Sequence, residues 1–193
     1  MIEPITYWYW ALITTSATAG LLFAEYRHHS VGRVVLKTIA AFGFLGAALS
    51  QGVPQGDFSA WVTVGLALSV IGDICLLIPT AGRAFLAGIG AFLLAHIAYF
   101  LGFWSLGIDA LGFCSAVAGL APAAWVLHRW LAADVPQGLR VPVLSYIGVI
   151  AIMVAGAVGV GWRVPELGGI IVTAILFVVS DVGVAMQRFK GAG

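Results

Sequence analysis

Seven stretches of apolar residues dominate the chain, each about 17–25 residues long, which is the length needed to cross a bilayer as a helix. They are Ile5–Ala24, Val34–Ser50, Ala60–Ile78, Phe85–Leu106, Ala110–Leu127, Val141–Val160 and Leu167–Met186. The connections between them are short and hold most of the proline and charged residues. The stretches lack the period-two alternation of membrane β-strands. The pattern therefore predicts an all-α protein, a polytopic bundle of seven transmembrane helices that forms a single domain over residues 1–193.

The composition supports this class. Hydrophobic residues make up 62% of the chain and charged residues 9%, against about 25% charged in soluble proteins. With a net charge of +1 and no cluster of lysine or arginine, nothing indicates a nucleic-acid partner. Cys75 and Cys114 lie inside apolar stretches, where cysteine usually packs as a small hydrophobic residue. We expect neither a disulfide nor a metal site.

The placement of basic residues predicts the orientation. With seven helices, one side of the membrane receives Arg27, Arg33, Arg83, Arg129, Arg140, Arg188 and Lys190. Only Arg163 falls on the other side. Because cytoplasmic loops are enriched in lysine and arginine, we expect the N-terminus outside and the C-terminus in the cytoplasm, in a bacterial inner membrane.

Two aspartates interrupt the apolar stretches. Asp73 follows Gly72 in the third stretch, and Asp181 follows Ser180 in the seventh. A carboxylate within a membrane helix costs roughly 2.5–3.5 kcal/mol even on insertion scales, so such residues usually have a function or a partner. Ser69 shares a helix face with Asp73, one turn away. The two aspartates are the first candidates for a functional site.

Other polar groups fall at a similar depth near the cytoplasmic side. At 1.5 Å per residue, Asp73 lies about 7–8 Å and Asp181 about 9 Å from the inner ends of their helices. By the same arithmetic Lys37 lies roughly 5 Å and Tyr146 roughly 8 Å from this side. We interpret this layer as a site. The alternative is a structural role for the aspartates, most simply an ion pair with Lys37.

The fourth stretch carries a second pattern. Phe85, Gly88, Phe92, His96 and Tyr99 are spaced three or four residues apart and therefore share one helix face. This face is a candidate groove for an apolar chain. Taken alone, an aromatic stripe is more typical of a helix core than of a ligand site.

The ordered set of motifs resembles the YhhN-like lysoplasmalogenase family. It comprises Lys37, Gly72-Asp73 before Leu-Leu-Ile-Pro79, the Phe85-to-Tyr99 stripe, Tyr146, Ser180-Asp181 and Arg188-Phe189. The sequence departs from the family pattern at Thr38, where proline is usual, and at Gln187, where asparagine is usual. Family members also usually have eight helices.

The resemblance implies hydrolysis of the vinyl ether bond of lysoplasmalogens, which gives a fatty aldehyde and glycerophospho-ethanolamine or -choline. Asp73 and Asp181 would be the catalytic residues, and no cofactor is expected. The substrate-binding residues would be Lys37, Ser69, His96, Tyr99, Tyr146 and Ser180. The expected partners are a lysophospholipid substrate and membrane lipids.

The chemistry of a vinyl ether suits two carboxyl groups. Protonation of its β-carbon leaves an oxocarbenium ion that water captures, which calls for one carboxylic acid and one carboxylate, as in glycoside hydrolysis. The competing class is a proton-coupled transporter of small molecules or lipids, which also uses intramembrane ionisable residues. Against it, no pair of helices broken by glycine and proline is evident.

Overall fold

The computed structural model describes residues 4–27, 30–50, 56–76 and 82–190. These residues form seven α-helices and no strand. The helices are α1 (Pro4–Tyr26), α2 (Ser30–Ser50), α3 (Asp57–Leu76), α4 (Gly82–Leu106), α5 (Ala110–Ala132), α6 (Arg140–Arg163) and α7 (Gly169–Phe189). Each predicted apolar stretch corresponds to one of them, which confirms the all-α prediction. The predicted end of the third stretch at Ile78 lies outside the described residues.

Five helices, α3 to α7, are long and apolar enough to cross a membrane. In α2 the apolar segment Val35–Ala47 is shorter. Large apolar side chains such as Leu111 and Val141 remain exposed, as they would against hydrocarbon. These are the properties of an integral membrane protein.

The chain divides into two compact units, residues 1–98 and 99–193. In the first unit, α1 and α2 pack through small residues, as membrane helices commonly do. Thr14 of α1 lies over Gly43 of α2, and Trp10 lies over Gly46, so that a methyl group on either glycine would collide with these side chains. Glycine at both positions allows the two helices to approach closely.

The second unit begins with a close connection between α5 and α6. Asp109 caps α5 by accepting a hydrogen bond from the Gly112 amide at 2.8 Å, which satisfies one of the free N–H groups of a helix start. Its own amide donates to the Gly159 carbonyl of α6 at 3.1 Å. Gly112 lies against Trp162, where a methyl group would be 2.7 Å from the Trp162 Cβ. These contacts fix the start of α5 to the end of α6.

The other end of this unit is closed by an apolar cluster and an ion pair. The buried members of the cluster are Leu131, Val135, Val143 and Ile147, with Phe189 of α7 packed against them. Lys190 pairs with Asp134 at 2.6 Å and lies 4.4 Å from the centre of the Trp130 ring. The end of α7 is thereby joined to the end of α5. The prediction of a single domain stays a prediction.

Candidate active site

Asp73 is held by an ion pair within the first unit. Its Oδ1 lies 2.8 Å from Nζ of Lys37, which projects from α2. The Lys37 side chain is 29% exposed and that of Asp73 is 21% exposed, so the pair is only partly enclosed by the protein. A carboxylate and an ammonium at this distance attract each other.

The backbone around Asp73 is packed closely against α4. A methyl group at Gly72 would lie 2.6 Å from the ring of Phe92, and one at Gly88 would lie 3.3 Å from the Gly72 carbonyl oxygen. Glycine before the aspartate is therefore required by the approach of α4, at the turn that carries the carboxylate. Ser69, one turn earlier, donates its hydroxyl hydrogen to the Gly65 carbonyl at 2.9 Å, a bond that many helical serines make.

Asp181 is held by a different group within the second unit. The Tyr146 hydroxyl of α6 donates to Oδ2 of Asp181 on α7 at 2.8 Å, and both residues are half-buried. One turn before Asp181, Phe177 packs edge-to-face on Tyr99, with ring centres 5.8 Å apart. Ser180, the neighbour of Asp181 in sequence, is exposed.

The stripe on α4 is buried. The exposed fraction is 8% or less for Phe85, Phe92, His96 and Tyr99, and Gly88 is also buried. The prediction that these residues share one face is confirmed. Burial of all five residues is what the core interpretation requires.

His96 is completely buried within the stripe. Its Nδ1 lies 2.6 Å from the Phe92 carbonyl oxygen. Because a carbonyl can only accept, this bond requires the proton on Nδ1, and Nε2 of a neutral ring is then an acceptor. This contact orients the imidazole ring along its own helix.

The structure brings two pairs of predicted site residues together, one in each unit: Lys37 with Asp73 and Tyr146 with Asp181. The sequence predicts Tyr146 as a substrate-binding residue of this layer, and the structure adds its hydrogen bond to Asp181. Each aspartate follows its partner at almost the same distance along the chain, a spacing that is visible in the sequence but does not by itself predict a contact. In the described part of the chain, no three His, Cys, Asp or Glu side chains form a group that could hold a metal ion.

Comparison with known proteins gives the same family as the motifs. The model of the YhhN family matches residues 32–192. Two curated lysoplasmalogenases, from Mycobacterium bovis (strain ATCC BAA-935 / AF2122/97) and Mycobacterium tuberculosis (strain CDC 1551 / Oshkosh), are each 32% identical over 154 residues. The alignment covers 78% of this chain and 58% of each relative. No solved structure matches significantly. Because the family match covers most of the chain, including both aspartates and their partners, the protein belongs to the YhhN family.

Proposed function

We propose that the protein is a lysoplasmalogenase-like membrane hydrolase, which cleaves the vinyl ether bond of lysoplasmalogens. The products would be a fatty aldehyde and glycerophospho-ethanolamine or -choline. One observation carries the proposal: two aspartates in apolar helices, each held by a polar side chain of the preceding helix. The 32% sequence identity to two proteins named lysoplasmalogenase supports the choice of substrate.

The proposed reaction needs a proton donor and a proton acceptor. The donor protonates the β-carbon of the vinyl ether, and the acceptor removes a proton from the water that attacks the resulting cation. Carboxyl groups perform both tasks in glycoside hydrolysis, where the intermediate cation is of the same kind. Asp73 and Asp181 are the residues proposed for these tasks.

The remaining proposed residues bind or orient. The Lys37 ammonium would hold Asp73 and attract the substrate phosphate. Tyr146 would hold Asp181. Ser69 and Ser180 each lie within one turn of an aspartate on the same helix, which is the support for a role at the site.

The two α4 residues, His96 and Tyr99, would shape the apolar part of the site. Both are buried, and they are one turn apart on one face of the helix. The substrate has a single chain, which would enter from the cytoplasmic leaflet if the N-terminus is outside. The basic residues of the connections are the basis for that orientation.

Aldehyde release from a purified vinyl ether lysolipid tests the proposal. We expect Asp73→Asn and Asp181→Asn each to lower turnover by about 10²–10⁴-fold, the usual contribution of general acid–base groups. The double variant should be scarcely slower than either single variant, because residues that act as a unit are not additive. The matched control is Asp134→Asn, which removes the charge of another paired aspartate and should leave turnover near the wild-type value.

Three outcomes would contradict the proposal. Near-normal turnover in both single variants would exclude the two-carboxylate reaction. Efficient hydrolysis of the matching ester lysolipid would indicate a general lysophospholipase. No product from either lipid, with the wild-type protein folded and monodisperse, would favour the transporter.

A further inference from the structure

The second unit carries a recess that the proposed reaction does not use. It lies where α5 ends and α6 begins, and it has a volume of about 170 Å³, part of which is open to the surroundings. Two of its lining residues, His128 and Arg140, are basic. The other four are apolar, namely Leu131, Ala132, Val135 and Val143. We call this feature the basic recess.

The basic recess lies where the unit leaves its apolar layer. The sequence of α5 is predominantly apolar up to Leu127, and that of α6 is apolar from Val141 onward. Trp125 and Trp130 are exposed at the same end of α5, and tryptophan is enriched at membrane–water interfaces. The recess is therefore at the depth expected for phospholipid headgroups.

The charge at this end of the unit is positive. Residues 124–146 and 182–190 contain one acid, Asp134, and its carboxylate pairs with Lys190 at 2.6 Å. Of the ion pairs among the described residues, none uses Arg140, which is exposed. Arg140 is also the first residue of α6, a position where the helix dipole disfavours a cation. An anion bound in the recess would offset this unfavourable interaction.

The lining of the recess suits a phosphate that is attached to hydrocarbon. An arginine guanidinium can donate two parallel hydrogen bonds to phosphate oxygens, and a histidine ring can donate at least one in either protonation state. The apolar lining offers no hydrogen bonds to replace the water around a free phosphate ion. Leu144 lies one turn beyond Arg140 on the same face of α6 and is 51% exposed, so an acyl chain can continue along the helix.

We propose that the basic recess binds the phosphate of an anionic bilayer phospholipid, with Arg140 and His128 as its ligands and the acyl chains against α6. Basic pockets between transmembrane helices bind anionic headgroups in this way. The site lies within the second unit and depends on no step of the proposed hydrolysis. A lipid bound there would contact both α5 and α6, and it would stabilise the folded protein by mass action.

Native mass spectrometry of the full chain in detergent tests the proposal. The probes are phosphatidylglycerol, which is anionic, and phosphatidylcholine with the same acyl chains, which is zwitterionic. We expect the wild-type protein to prefer phosphatidylglycerol, and Arg140→Gln to lower its affinity for this lipid by about tenfold, the usual effect of losing hydrogen bonds to a charged group. Arg140→Lys should lose less, because it keeps the charge but not the paired donors. His128→Gln should also weaken binding.

Arg129 provides the matched control. It lies at the same end of α5 and is exposed, but its guanidinium lies over the Trp125 ring, 5.5 Å from the ring centre, and it does not line the recess. Arg129→Gln removes the same charge as Arg140→Gln. It should change the affinity for phosphatidylglycerol by less than about twofold, because an exposed charge outside the recess is screened. Thermal unfolding should agree, with phosphatidylglycerol raising the midpoint of Arg129→Gln more than that of Arg140→Gln.

Four results would overturn the proposal. Equal losses in Arg129→Gln and Arg140→Gln would mean a general attraction to a positive surface, and equal binding of the two lipids would remove the preference for an anionic headgroup. Displacement of phosphatidylglycerol by millimolar inorganic phosphate would assign the recess to a free ion. Displacement by an equal concentration of vinyl ether lysolipid would assign it to the proposed substrate. Binding is measured without turnover, so a failure of the proposed hydrolase would leave each of these results unaffected.

Discussion

At the scale of single residues, the Lys37–Asp73 ion pair can be compared with a second Lys–Asp pair in the same chain. The chain contains two Lys–Asp ion pairs of similar length among its described residues, Lys37–Asp73 at 2.8 Å and Lys190–Asp134 at 2.6 Å. The first joins two helices within apolar sequence, whereas the second joins two helix ends beside a loop. The second pair is therefore a natural control for the first.

The two lysines should respond differently to loss of charge. We expect Lys37→Met to lower the turnover of vinyl ether lysolipid by about 10²-fold or more, because Asp73 loses the ammonium group that pairs with it and the proposed acid–base group is no longer held in place. Lys37→Arg retains the charge and should recover much of the activity, although the planar guanidinium is an imperfect replacement. Lys190→Met should leave turnover unchanged, and its effect on stability should be at most about 1 kcal/mol, since the pair is partly exposed.

Steady-state kinetics and thermal unfolding of the three variants, measured together, separate activity from folding. If Lys37→Met and Lys190→Met behave alike in turnover, the Lys37–Asp73 pair has only the structural role that the sequence left open. Recovery by arginine but not by methionine would attribute the effect to charge.

At the scale of the helices, the position of Asp73 depends on a close contact between α3 and α4. Gly72 faces the Phe92 ring at a separation that leaves no room for a Cβ. Because Phe92 is buried, its ring has little space to retreat. The contact therefore sets the distance between the two helices at the turn of Asp73.

A single methyl group tests this contact. Gly72→Ala should destabilise the protein by about 1–3 kcal/mol, the usual cost of overpacking a close contact, and should also lower turnover by displacing the adjacent aspartate. Gly90 lies on the facing helix α4, and a methyl group there would have no atom within 4 Å. Gly90→Ala should therefore be neutral, or stabilising by up to about 1 kcal/mol through helix propensity. Denaturation midpoints in one detergent compare the two. Equal tolerance of both substitutions would show that α3 and α4 can separate without consequence.

The helices themselves are predictable from sequence, because an apolar run of membrane length is a property of consecutive residues. The ends of the helices are less predictable. The apolar run of α5 ends at His128 and Arg129, which predicts a helix end at Leu127. The helix continues to Ala132, because Leu131 is buried in the apolar cluster at that end. The pairing of Tyr146 with Asp181 was not predicted, because a side-chain contact depends on the rotation of each helix about its axis. Packing between helices sets that rotation, and the hydropathy pattern does not predict it.

At the scale of the whole molecule, the distribution of charge predicts the orientation in the membrane. Arg163 is predicted to lie on the opposite side of the membrane from the other arginines, and the structure gives a reason for its position. Its guanidinium lies against Gly107, whose φ of +83° favours glycine, and it occupies the space that a side chain at position 107 would need. Arg163 is thus part of the connection between α4 and α5, and its presence there does not weaken the charge argument.

The charge asymmetry therefore predicts that the N-terminus is outside and the C-terminus cytoplasmic. A reporter fused after Gly193 should be active only if it functions in the cytoplasm, and one fused at the N-terminus only if it functions outside. As an internal check, we expect a cysteine at Gly138 to be labelled only from the cytoplasmic side and one at Glu166 only from outside, both positions being exposed. Cys75 and Cys114 are replaced by alanine in these variants to remove background labelling.

The orientation has a consequence for the proposed reaction. In the predicted orientation both aspartates lie nearer the cytoplasmic ends of α3 and α7, so that a lysolipid supplied to the cytoplasmic leaflet of sealed vesicles should be cleaved. The same lipid confined to the outer leaflet should be cleaved only after it crosses. Reversed labelling of the two cysteines would contradict the predicted topology, and it would move the proposed site, with its source of substrate, to the outer leaflet.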